Sequence, residues 1–500
     1  MLEMFSIGFS AILTPFVLLL IFIGSIVGII FGAIPGLTGV MAFAVCLPLT
    51  FSMTPVAAMA FLCGLYLGSC SGGLISAILL KIPGTISSIA TTFDGHPMAE
   101  KGEAGKALGL GIFSSFIGGT IGFLMLFFIS PPLAKLSIKF SAVEYAAVAF
   151  FALTLISSVS GKSIIRGLIG ALLGIAFALI GVSSIDGVAR LTFGIRKLYS
   201  GLNVLPVLLG IYAVTSIYDL AEGIDTEIQG KAYNYKIKGF GFSLKEYFKH
   251  YINIIRSSLI GAGIGILPGI GGGTSNILAY IAAQKTSRHP EEFGTGTEDG
   301  IIAPECANNA SVGGSMIPLL TLGIPGDTVT AILIGALTIH GLTPGPLLFQ
   351  NNGDLVYAIF ASLLVANLMI IISQYAGMRF FVKLLSIPKK YLVPCVIVMC
   401  AIGSFCVNNR AFDIVILLFF SLLGYVMKKL DIPFTPFVIG FILGPMFEIN
   451  FRRALMLSEG SFLPFITKPI SLVFLLCAVL SIVFAVINEL KKRKEQVHAG

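Results

Sequence analysis

Apolar stretches of about 20 residues recur from end to end of the chain, long enough to cross a bilayer as helices. Strand-like alternation is rare, so the pattern predicts a helical bundle and not a barrel. Two stretches interrupt the apolar text with glycine, proline and hydroxyl residues. They run from Gly72-Gly73 to Ile82-Pro83-Gly84-Thr85 and from Gly313-Gly314 to Ile324-Pro325-Gly326-Asp327. In both, ten residues separate a glycine (Gly72, Gly314) from the isoleucine of Ile-Pro-Gly. An upstream pair matches as well: Gly32-Ala33-Ile34-Pro35-Gly36 and Gly265-Ile266-Leu267-Pro268-Gly269. The Pro-Gly marks lie 233 residues apart and the Ile-Pro-Gly marks 242, a small insertion between two internal repeats. Membrane helices leave backbone groups free only where protein or a watery cavity covers them, and matched breaks in two halves point to a transporter binding site.

The resulting layout is a first repeat (1–106), scaffold helices (107–220), a polar connector (221–252), a second repeat (253–350), C-terminal helices (351–490) and a basic tail (491–500). Conventional spans are predicted near 107–129, 142–160, 164–183, 202–219, 355–385, 391–407, 412–428, 434–447 and 464–489. With the repeats this makes roughly ten to twelve crossings plus re-entrant pieces. Gly24, Gly28 and Gly32, at spacing four on the first helix, read as a packing stripe. Thr92–Gly102 reads as a polar loop, and its Asp94 and Glu100, like Glu298 and Asp299, as solvated charges. Of these five carboxylates only Glu305, beside Asn308 and Asn309, is kept as a functional candidate.

Composition sharpens this picture. Only 11% of residues are charged, against about 25% in soluble domains, and 56% are hydrophobic, as in an integral membrane protein. The net charge of +8 comes from Lys and Arg in short runs between apolar segments, which fits positive-inside topology and not a nucleic-acid surface. Lys491-Lys492-Arg493-Lys494 places the C-terminus in the cytoplasm. The first apolar stretch is too long for a signal peptide and lacks a basic leader, so it is expected to remain as a helix. Eight cysteines show neither disulfide nor zinc spacing.

Helix N-termini exposed at the breaks hold anions, while freed carbonyls and Ser, Thr or Asn oxygens suit a hard cation such as Na⁺. Candidate substrate ligands are Pro35, Gly36, Thr38, Ser71, Gly72, Gly73, Gly84, Thr85, Ser87, Gly272, Gly273, Thr274, Asn308, Asn309, Gly326 and Thr328. Asn276, Thr321 and Asp327 are candidate Na⁺ ligands. An ion channel could be built from the same breaks. An intramembrane enzyme using Cys70 of Gly68-Ser69-Cys70-Ser71-Gly72 is disfavoured, because no strand precedes the motif and the nearest histidine is His96. Ser160-Gly161-Lys162-Ser163 resembles the end of a phosphate loop but has Ile156 where the first glycine belongs, and reads as a turn.

The blocks Gly32–Gly36, Lys81-Ile82-Pro83-Gly84, Asp94-Gly95-His96-Pro97-Met98-Ala99, Pro304–Ala310 and Gly341–Pro346 resemble the large permease subunit of tripartite tricarboxylate transporters, the TctA family, over about residues 15 to 485. His96 departs from the aromatic expected there. The resemblance implies a non-enzymatic, multi-pass protein of the bacterial inner membrane. It would work with a periplasmic TctC-like binding protein and a small TctB-like membrane subunit. It would import organic carboxylates such as citrate on an ion gradient, usually Na⁺, with no other cofactor. By analogy with two-repeat carriers, the repeats are expected to be inverted and the movement elevator-like.

Overall fold

The computed structural model describes residues 2–155, 163–215, 218, 241–384 and 389–498. The turn at 160–162, most of the connector (221–240) and the side chains of the basic tail fall outside the described residues. The chain is an all-α multi-pass membrane protein. Its first half comprises α1 (Leu2–Ile12), α2 (Pro15–Ala33), α3 (Gly39–Cys46), α4 (Pro55–Leu80), α5 (Thr91–Met98) and α6 (Ala104–Ser137). A middle group follows: α7 (Ala142–Thr154), α8 (Ile164–Ala178), a two-residue hairpin of Gly181–Val182 with Ala189–Arg190, and α9 (Val204–Leu208). The second half contains α10 (Tyr251–Ile266), α11 (Gly271–Thr286), α12 (Asp299–Leu322), α13 (Thr328–Ile339) and α14 (Gly353–Leu384). Then come α15 (Lys389–Asn408), α16 (Ala411–Lys429), α17 (Phe434–Leu457) and α18 (Pro469–His498). Among the described residues six stretches are long and apolar enough to cross a membrane, including Pro15–Ala33, Pro55–Leu80, Thr91–Ser137 and Gly353–Lys383.

Missing side chains set the helix packing. α2 and α4 run in the same direction with backbones touching: a Cβ on Gly24, Gly28 or Gly32 would lie 2.2–2.4 Å from the carbonyl oxygens of Phe61, Leu65 and Ser69. α10 lies beside α12 in the same way, Gly261 facing Ala307 O and Gly265 facing Ser311 O. α6 accompanies α12 in parallel, with Gly118 against Cys306 and Gly122 against Ala310. It runs opposite to α14, whose Asn367 bonds Phe116 O while Tyr357 meets Phe127 further along α6. α14 also packs on α4, where Ser71 and Gln374 exchange two 3.0 Å hydrogen bonds. A further group of helices forms where α17 packs on α7 and α8 and α18 on α7.

One expectation needs correction. Thr92–Met98 is helical, not a loop, and Asp94 is fully buried. Its Oδ1 accepts from the backbone N–H of Gly294, Gly296 and Thr297 at 2.8–2.9 Å, and its Oδ2 from the Tyr280 hydroxyl at 2.8 Å. Partners some 200 residues away in sequence made this burial invisible locally. Glu298 and Asp299 are likewise tied down. Lys106 bonds Glu298 at 2.6 Å, His250 reaches Glu298 at 3.3 Å and Asp299 at 2.9 Å, and Asn253 donates to Asp299 at 2.7 Å.

Two outcomes follow from this packing. Gly28→Val or Gly261→Val should lower stability by about 1–3 kcal/mol through overpacking. Gly263→Ala, with nothing within 4 Å, should be silent in the same thermal-unfolding assay. Bonds to Asp299 and Glu298 raise the His250 imidazole from its usual 6.5 to about 9. Its contribution is therefore complete below pH 6.5 and lost as pH rises through 9. The wild-type melting temperature should fall across that window more steeply than that of His250→Gln.

Candidate functional site

Four helix breaks converge inside the bundle, and local chemistry makes each. After α2, Pro35 lacks the N–H needed to continue the helix and Gly36 takes φ +91°; after α10, Pro268 and Gly269 (φ +76°) repeat this. α4 ends at Lys81 (φ 59°) and α12 at Gly323 (φ 71°), each in the left-handed conformation of a helix C-terminus. The chain then restarts on capping side chains. Thr38 accepts from Met41 N at 3.2 Å, Ser88 Oγ accepts from Thr85 N at 3.2 Å, and Asp327 Oδ1 accepts from Thr330 N at 2.8 Å.

These restarts press against the two long helices. A Cβ on Gly84 would sit 2.1 Å from Gly32 O, and one on Gly326 2.5 Å from Ser315 Cα and 2.7 Å from Gly265 O. Gly269 N–H donates to Gly326 O at 2.9 Å, so one break satisfies the other. A Cβ on Gly73 would meet Thr85 Oγ1 at 2.5 Å. One on Gly272 would lie 3.0 Å from both Asn308 Oδ1 and Ser311 Oγ, and 3.2 Å from Ser87 Cβ. Gly273 faces Ile86, and Gly271 faces Asp327.

The structure thus brings Ser87, Asn308 and Ser311 together around Gly272, with the Thr85 hydroxyl 3.1 Å from that of Ser87. Asn308 is fully buried, and its amide NH₂ donates to Cys70 O at 3.1 Å. Its Oδ1 has no partner. A buried amide oxygen left unbonded costs about 1–3 kcal/mol, so it is placed for something else to bond. At the corresponding place in the first half, a Cβ on Gly39 would lie 2.7 Å from Ser69 Oγ and 3.5 Å from Val329 Cγ2. The Tyr66 hydroxyl, one repeat offset before Asn308, donates to Asp327 Oδ2.

Other candidate residues have different surroundings. Ser71 is engaged with Gln374, and Gly72 lies against Ile29 O. Asn276 accepts from Ala90 N at 2.8 Å and donates to Pro304 O at 3.4 Å. The Thr321 hydroxyl donates to Ile317 O at 2.6 Å within its own helix. Asn309 donates to Glu305 O at 3.3 Å. Gly36 and Thr274 are exposed, Pro35 is buried, and Thr328 is half-buried. Sequence reading missed Tyr66. Tyr66 stands 242 residues before Asn308 and Ser69 the same distance before Ser311, the Ile-Pro-Gly offset, so the repeat itself carried the signal.

Helix breaks paired in two halves of a membrane bundle and sealed by backbone contact define a carrier-type membrane protein. The chain belongs to the tripartite tricarboxylate transporter TctA family, which it matches over residues 18–439. It is 34% identical over 493 residues to an uncharacterised 52.8 kDa protein of Agrobacterium vitis from the TAR-I ttuC′ 3′ region, covering 98% of this chain and 97% of that one. A second A. vitis protein, from the TAR-II ttuC′ 3′ region, is 35% identical over 237 residues, 47% of this chain and 98% of the relative. No solved structure matches.

Tyr66→Phe leaves Asp327 Oδ2 without its donor and should destabilise by about 1–3 kcal/mol. Thermal unfolding of the purified protein measures this, and Tyr145→Phe, whose hydroxyl bonds only Ser137 O at 3.2 Å, should cost less.

Proposed function

We propose that this chain is the large membrane subunit of an importer for organic carboxylates such as citrate, coupled to an inward cation gradient, with Na⁺ as the ion. It works in the bacterial inner membrane with a periplasmic binding protein and a small membrane subunit. The Lys-rich connector and the basic tail put both in the cytoplasm under the positive-inside rule. Family membership supports the tripartite assembly.

The observation that carries the reading is the orphan Asn308 oxygen beside Gly272. The Ser311 and Ser87 side chains meet it there, where the two broken hairpins touch. These neutral oxygens suit a partly dehydrated monovalent cation or the hydroxyl of a substrate. The neighbouring helix start at Gly271 presents N–H groups to a carboxylate. Substrate and cation would neutralise one another, because the one basic residue next to a break, Lys81, is exposed. In this reading Asn276 ties α11 to Ala90 and Pro304, Thr321 bonds within its own helix, and neither binds the ion.

The two halves act as inverted repeats. Support comes from helix direction: α12 runs with α6, α6 against α14, and α14 with α4, whose starts at Pro55 and Leu355 line one cleft while Ser71 and Gln374 meet further along, so α4 and α12 point opposite ways. The repeat core then moves against the layer formed by α7, α8, α17 and α18, in an elevator-like manner.

Proteoliposomes containing the chain with both partner proteins should take up labelled citrate or a related carboxylate only with an inward Na⁺ gradient. Asn308→Ala should reduce uptake at least tenfold and raise the Na⁺ concentration needed for half-maximal rate. Uptake that ignores Na⁺ would remove the coupling ion. Uptake unaffected by Asn308→Ala would remove the site.

A further inference from the structure

Glu305 is the one carboxyl deep in α12, and its proton chemistry is not part of the site described above. The residue is fully buried. Its Oε1 lies 2.5 Å from the Thr91 hydroxyl and its Oε2 2.9 Å from the Ser115 hydroxyl. Both partners belong to the other half: Thr91 opens α5, just beyond the Ile-Pro-Gly break, and Ser115 lies in α6. Neither carries charge.

The titratable groups on every element around α12 are engaged elsewhere. On α5, Asp94 is held by Tyr280 of α11 and three backbone N–H groups, and His96 by Ile78 O at 3.0 Å. On α6, Lys106 pairs with Glu298. On α10, Arg256 bonds Asn253 and Thr286. On α11, Lys285 sits in the last turn, away from the break. α4 supplies Cys63, Cys70 and Tyr66, the last bonded to Asp327 ahead of α13. His340 closes the far end of α13. Within α12, Asp299 is bonded to His250, and Cys306 faces Tyr247 at 3.9 Å. Among the described residues no Lys, Arg or His side chain is bonded to Glu305. A carboxylate enclosed this way, with two hydroxyls and no cation, is far too costly to keep ionised.

We infer that Glu305 is a proton-binding site inside the membrane barrier, and that each transport cycle carries its proton. With the carboxyl protonated, its O–H donates to one flanking hydroxyl while the other hydroxyl donates to the carboxyl. Thr91 follows directly on the moving break, anchored to α11 by the bond from Ala90 N–H to Asn276. Displacement of the 85–98 segment removes one hydroxyl and admits water. The carboxyl then gives its proton to that water, leaving the carboxylate, which takes a proton from water on the opposite side before the segment repacks. The coupling step rests on the transport reading above; the buried proton does not.

The test separates the two. Infrared spectra of the purified full-length protein, titrated from pH 5 to 9 without substrate (about one ordinary carboxyl range either side of neutrality), should contain a protonated-carboxyl stretch that persists to neutral pH. Glu305→Gln should remove this band, and Thr91→Val should shift its frequency and titration midpoint, a response that a folding defect does not produce. Absence of the band at neutral pH, or its survival in Glu305→Gln, overturns the proposal. Proteoliposomes with both partners and a pH dye inside then follow protons during carboxylate uptake at equal pH on both sides. The lumen should acidify with wild type and not with Glu305→Gln. Uptake without acidification overturns proton carriage. If the band is present but no carboxylate moves, the transport reading has failed and the proton site stands.

Discussion

The whole arrangement depends on one requirement: a helix that stops inside a bilayer must have its open backbone groups covered by protein. Close approach is how this chain meets it. α2 lies backbone-to-backbone on α4, and α10 on α12, because a row of glycines removes the side chains that would keep them apart. The restarting segments then nest between these pairs, and Gly269 N–H finds Gly326 O. Dispersion and polar contacts, not water exclusion, hold such helices together in lipid, so the contacts must be short.

Against that requirement, the two halves have drifted apart in chemistry while keeping their geometry. Gly39 and Gly272 stand at equivalent positions of the repeat, as do Tyr66 and Asn308. The Tyr66 hydroxyl is bonded to Asp327, whereas the Asn308 oxygen is open.

Much of this was readable from residues. The Pro-Gly and Ile-Pro-Gly marks located all four breaks, because proline and glycine act locally on the backbone. The Gly24–Gly32 stripe announced a close helix contact for the same reason. What stayed hidden was long-range. Asp94 lies in polar text that reads as a loop, and only Tyr280 and the 294–297 turn explain its burial. Asn276 was singled out by residue type, and its bond from Ala90 N–H, 186 residues away, shows only in the structure. Tyr66 was overlooked as one apolar-helix aromatic among many, although the repeat offset singled it out.

The cross-half bonds bear on how the protein is made. Asp94 is completed by residues 280 to 297, Asp327 by Tyr66, and Glu305 by Thr91 and Ser115. During synthesis the first half enters the membrane long before its counterparts leave the ribosome. Until then Asp94 has no backbone cradle and the first pair of breaks has no cover. The early chain must therefore wait at the membrane surface or in the shelter of the insertion machinery, and the buried core closes only when the second half threads in beside it.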